Sequence, residues 1–160
     1  MAGGGGNRKS DFPALRPQVV CLKGLIQYIA DGEKSLAAGD VNAALAKFQS
    51  AIKFHPEHAG GYAGRGRVFV VQDKLSEAET DLTRALQLDA DSWMALLGRG
   101  ELRIAQGDHA RALEDLNRAV QLAPNESILY RVRSKALGLS GDATAADQDL
   151  KTASRLGAEK

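Results

Sequence analysis

Three histidines, one cysteine, a glycine-rich stretch and a recurring row of arginines are the residues of this chain whose types lend themselves to chemistry. His55 and His58 flank Pro56, but a metal site needs a third ligand near them, so they read as surface turn residues, and His109 stands by itself. Cys21 is the only cysteine, which excludes an internal disulfide and a cysteine-type zinc site and leaves a small apolar residue on a helix face. The stretch GYAGRGR (61–67) lacks the Gly-Lys-Ser/Thr ending of a phosphate loop and falls inside a predicted helix, where backbone amides are already bonded. Asp147 and Asp149 point to different sides of a helix and share no site. Arg65, Arg99 and Arg133, preceded by Asp31, recur at one step and would suit a nucleic-acid track. The chain has no regularly spaced aromatics for base stacking, and a solvated row that packs through its stems is the simpler reading. The chain is therefore read as no enzyme, with no metal and no cofactor.

Composition sets the outer limits. Of 160 residues, 21 are Lys or Arg and 20 are Asp or Glu, a net charge of +1 that calls for neither nucleic acid nor an anionic membrane. No run of about 18 apolar residues is present, so no membrane span is expected. The opening MAGGGGNRKS lacks the apolar core of a secretory signal, and Ala2 stands where myristoylation requires glycine, which makes the cytoplasm the expected compartment. Without a secretory route, Asn125-Glu126-Ser127 is a helix entry and not a glycosylation acceptor. The expected partner is protein.

The elements that would position these residues repeat. With a step of 34 the chain aligns with itself four times: Ala44, Ala78, Ala112 and Ala146; Ala51, Ala85, Ala119 and Ala153; and between them Phe48, Leu82, Leu116 and Leu150. Each unit reads as two helices of roughly 12 to 14 residues, too short to be stable alone and so dependent on stacking. A bulky residue (Tyr28, Tyr62, Leu96, Tyr130) is followed four places later by a small one (Gly32, Gly66, Gly100, Ser134), which leaves room for a neighbouring helix. Gly39-Asp40, Gly107-Asp108 and Gly141-Asp142 mark the turns within units, with Asp73-Lys74 in the second. Pro56 and Pro124 close units one and three; Ala90 and Ala158 hold that column in the others and predict softer endings. The boundaries are a Gly-rich tail over 1–12, an extension of the first helix over 13–24, and units at 25–58, 59–92, 93–126 and 127–160. Polar Asp147 and Ser154 stand where earlier units are mostly apolar and predict a solvent-facing last helix.

These columns together resemble the tetratricopeptide repeat over about residues 25 to 160. The resemblance implies an all-α, right-handed superhelix, an α-solenoid of four helix-turn-helix repeats whose first helices line a concave groove. It also implies the work of an adaptor or scaffold that holds a peptide or helix of another protein. Its co-chaperone members grip chaperone tails with a Lys, two Asn, a Lys and an Arg. In this chain that clamp would fall on Ile29, Glu33, Gly64, Met94 and Gly98, or one repeat later on Ala63, Arg67, Gly98, Ile128 and Val132. Neither set donates the bonds that a carboxylate needs, so heat-shock tail binding by that clamp, with an affinity tighter than about 10 μM, is not expected.

The implied groove presents Ile29, Val71, Met94, Leu97 and Ile104 as apolar contacts and Arg67, Glu101, Arg131 and Lys135 as polar ones, for a short apolar or amphipathic segment. Glu33, Arg67, Glu101 and Lys135 alternate in sign and either pair along the stack or meet a ligand. Arg131 and Lys135 make one end basic and suited to an acidic residue or a terminal carboxylate. Gly60, Gly61 and Gly64 each cost about 1 kcal/mol in a helix, which either close packing of repeats or the close approach of a ligand backbone would explain. Residues Pro17 to Leu25 are apolar enough to fold back over the groove. The alternative function is a permanent structural subunit of a larger assembly or homo-oligomer, with Val19, Val20 and Leu22 in contact.

Overall fold

The computed structural model describes residues 17–158, with side chains from Lys23 onward. The tail over 1–12, and the side chains of Val19, Val20, Cys21 and Leu22, lie outside the described residues. Eight helices and no strand make up the rest: α1 (Pro17–Ala37), α2 (Val41–Phe54), α3 (Ala59–Val71), α4 (Leu75–Leu88), α5 (Trp93–Ala105), α6 (His109–Leu122), α7 (Ser127–Leu139) and α8 (Ala143–Ala158). From α2 onward, equivalent helices begin 34 residues apart, the period of the alanine columns. The helix α1 is continuous from Pro17, so the segment to Leu25 extends the first helix and does not fold back over a groove.

Each hairpin turns where the chain can take a left-handed residue. Gly39, Gly107 and Gly141 have φ of 79°, 81° and 90°, and the aspartate after each caps the next helix by accepting from the backbone N–H three residues on. In the second hairpin Asp73 takes φ 58° without glycine, and Lys74 supplies no side-chain cap to α4. α4 has 14 residues, as α2 and α6 have, and Asp89 closes it by accepting from the Asp91 N–H. The last helix, α8, has 16 residues among those described.

Stacking buries the columns that the period picks out. Ala44, Ala78, Ala112, Phe48, Leu82 and Leu116 are at most 1% exposed. The apolar knob of the second helix in each of the first three hairpins sits against a glycine of its own hairpin and, in the first two, against another of the next. A Cβ at Gly32 or Gly64 would meet the Phe48 ring at 2.7 or 2.1 Å, and one at Gly66 or Gly98 would meet Leu82 at 2.7 or 2.5 Å. Gly60 and Gly61 are likewise filled by Ile29 and Ile52. Close packing of repeats thus accounts for these glycines. On the last hairpin Asp147 and Ser154 are exposed as expected, but Leu150 and Leu139 are 49% and 52% exposed, so that face is only partly polar.

The contacts between elements set the curvature. The first helices touch one another along the stack, α1 to α3, α3 to α5 and α5 to α7, and each second helix touches the first helix of the next hairpin. No two second helices are in contact among the described residues. The stack is therefore closer along its first helices, which form the concave side.

Candidate functional site

Two charged rows run along this stack. On the outer side, Arg65, Arg99 and Arg133 each donate two hydrogen bonds, from Nε and Nη2, to an aspartate of their own hairpin: Asp81 at 2.6 and 2.8 Å, Asp115 at 2.8 and 2.7 Å, Asp149 at 2.7 and 2.8 Å. The aspartates are buried, and the hydrogen bond to each raises the pKa of its arginine against the opposing effect of burial. This overturns the reading of the arginine row as solvated. It is the clasp between the two helices of a hairpin. In the first hairpin the polarity reverses: Lys47 on the second helix donates a single 3.2 Å bond to Asp31 on the first. Asp149 is thus committed to Arg133 while Asp147 faces outward and pairs with Lys151, so the two carboxylates share no site.

The inner row lies on the concave side. Arg67 is 5% exposed and donates to Glu33 at 2.5 Å and to Glu101 at 2.8 Å, both 34 residues away, tying three consecutive hairpins together. Burial opposes its charge, but Glu101 and Glu33 outweigh it and the pKa is driven upward. Arg67 is therefore no free anchor. Glu33 Oε1 is buried with no hydrogen-bond partner among the described residues.

This triad floors a trough of about 830 Å³ lined from every first helix: Glu33 and Lys34 on α1, Arg67 and Val71 on α3, Glu101 on α5, Ile128 and Arg131 on α7. It shares Val71 and Glu101 with an aliphatic cleft of about 310 Å³ formed by Val70, Ile104, Ala105, Val132 and Lys135. The structure thus brings together Arg67, Val71, Glu101, Ile104, Arg131 and Lys135. Val71 is 60% exposed, and Arg131 and Lys135 are exposed.

Three of the expected contacts lie elsewhere. Leu97 is fully buried in the cluster of Leu96, Leu116 and Leu129, so it offers no surface to a ligand. Ile29 is half-buried, with its Cδ1 filling the space over Gly60. Met94 packs on Ala59, Ala63, Ala85 and Ala95 and lines a separate cavity of about 390 Å³ with His58 and Trp93. Lys34 and Val70 line the trough and cleft but stand outside the columns read from sequence. Each directly adjoins a named residue, Glu33 or Val71, and that adjacency was the available signal.

One of the histidines has structural employment. His58 caps α3 by accepting from the Gly60 N–H at 3.1 Å, and burial, then the nearby His55, lowers its pKa. Among the described residues no three His, Cys, Asp or Glu side chains gather as a metal site, and no helix is long and apolar enough to cross a membrane.

Comparison with known proteins agrees with this architecture. A model described as tetratricopeptide repeat matches residues 35–80 and 63–127. Human DnaJ homolog subfamily C member 3 is 38% identical over 66 residues, which is 41% of this chain and only 13% of that protein. Among solved structures, a tetratricopeptide protein of Thermus thermophilus, TTC0263, superposes with TM-score 0.68 at 20% identity over 82% of this chain and 74% of its own. PilF of Pseudomonas aeruginosa superposes with TM-score 0.66 at 20% identity over 88% of this chain and 64% of its own. At such identities the structures share the fold alone. With a matching family model over more than half its length and an unbroken stack of helical hairpins, this chain belongs to the tetratricopeptide repeat family.

Proposed function

We propose that this protein is an adaptor that holds a short apolar or amphipathic segment of a partner protein in the trough along α1, α3, α5 and α7, without catalysis. The coarser statement rests on the family, whose fold is a scaffold for interactions between proteins. The observation that carries the finer one is the aliphatic cleft around Val71, left 60% exposed on the concave side while the glycine and alanine columns are packed shut. Burying an aliphatic side chain is worth about 1.5–3 kcal/mol, so covering Val71 and Ile104 supplies a usable part of a micromolar affinity. Proximity labelling with the wild type and with Val71→Asp/Ile104→Asp tests this: a genuine trough ligand is lost from the variant. Partners retained in full on the variant would place binding on another face.

A second reading, a permanent subunit of an assembly, draws support from Ile26, Leu139 and Leu150, which are 61%, 52% and 49% exposed at the two ends of the stack. Light scattering separates the two, since the adaptor is a monomer at all concentrations and the subunit is not.

A further inference from the structure

We infer that the segment held in the trough is acidic as well as aliphatic, its carboxylates meeting Lys34, Arg131 and Lys135; this rests on the trough reading above. The sign follows from which charges the fold has already used. Glu33 and Glu101 are both bonded to Arg67, so the triad carries one net negative charge. Lys34, Arg131 and Lys135 are exposed and enter no ion pair among the described residues, which leaves the walls with two positive charges in excess. Lys34 and Arg131 line the same trough from its first and last helices, and Lys135 stands at the aliphatic cleft. A basic segment would face these three cations while the two acids remain committed to Arg67. An acidic one meets complementary potential along the trough.

The aliphatic lining selects protein over the other polyanion, nucleic acid. Val70, Val71, Ile104, Ala105 and Val132 offer apolar contact and no aromatic face on which a base could stack. The occupant is thus a peptide that carries both aliphatic and carboxylate side chains.

Fluorescence anisotropy with three labelled synthetic peptides tests this. They share one leucine pattern, and the intervening residues are all Glu, all Ser or all Lys; an oligouridine serves as competitor. At ~0.1 M salt the Glu peptide is expected to bind about tenfold tighter than the Ser peptide and the Lys peptide weakest, the differences shrinking at ~1 M salt. Arg131→Glu/Lys135→Glu, which alters only exposed side chains that enter no ion pair among the described residues, is expected to reverse the order while leaving the circular dichroism unchanged. Equal or tighter binding of the Ser or Lys peptide, an order unmoved in the double variant, or displacement of the Glu peptide by oligouridine would overturn the inference. In those cases a loss of peptide binding in Val71→Asp shows that the trough reading still stands. If no peptide binds, or if Val71→Asp changes nothing, the trough reading fails and this inference fails with it.

Discussion

Arg65 and Arg67 are two residues apart on α3, yet they do different work. Arg65 clasps Asp81 of its own hairpin, 16 residues on, and the clasp recurs at Arg99 and Arg133. Arg67 reaches instead to glutamates 34 residues away on either side and joins three hairpins. The outer row therefore chiefly holds each unit together, with one further bond from Arg133 to Asn117 of the preceding hairpin, whereas the inner one couples three units and forms the floor of the trough. The difference also shows in exposure: the side chain of Arg67 is sealed at 6%, while those of Arg65, Arg99 and Arg133 keep 26%, 36% and 20% of their surface in contact with water.

Substitutions that break the two rows should rank accordingly. Arg67→Ala is expected to cost about 3–5 kcal/mol in a urea titration, because it leaves two carboxylates facing each other with no counter-ion. Adding Glu33→Gln and Glu101→Gln should recover part of that loss; no recovery would mean that the arginine acts through its packing and not its charge. Asp115→Ala should cost less, about 1–3 kcal/mol, since the freed Arg99 and Arg103 can still reach solvent. A cost equal to that of Arg67→Ala would erase the distinction between the rows.

The first hairpin sharpens the comparison further. Lys47 holds Asp31 by one bond with both side chains substantially exposed, and the bonds from Gln27 and then Lys47 lower the pKa of Asp31. Lys47→Ala should leave the unfolding midpoint within error. The exchange Asp31→Arg/Lys47→Asp, which installs the residue types of the other hairpins, should raise it.

Neither row contains a histidine, so a pH dependence just below neutrality, compared with a His58 variant, reports on the cap of α3. The pKa of His58 is lowered from 6.5 in the folded state, so below 6.5 the unfolded chain binds more protons. This contribution is complete above pH 6.5 and fades as the pH falls through the folded value. His58→Asn, which can still accept from the Gly60 N–H, should remove that part of the decline in pH-dependent thermal melts.

Much of this fold can be read without coordinates. The alanine columns, the left-handed turns at Gly39, Gly107 and Gly141 and the aspartate caps follow from local chemistry repeated at one interval, and the structure reproduces them. Val71, Ile104, Arg131 and Lys135 were legible as trough residues because a helical period groups them on one side of the first helices. The arginine row was misread because its partners, Asp81, Asp115 and Asp149, recur with the same step but 16 residues later, and nothing local says that two separate columns meet. Leu97 shows the same limit. It lies four residues from Glu101 and so shares a helix face with a trough residue, yet it is completely buried.

The order of the residues alone determined the period, the helices, the turns and the small-against-large columns, since each depends on backbone conformation or on spacing within one hairpin. How neighbouring hairpins tilt against one another was decided only by the tertiary structure. That tilt, set by Phe48 filling Gly64 and Leu82 filling Gly98, fixes which side of each first helix is sealed and which is open. It buried Arg67 and Leu97, left Val71 exposed, and left Lys34, Arg131 and Lys135 as the charges that a partner can still use.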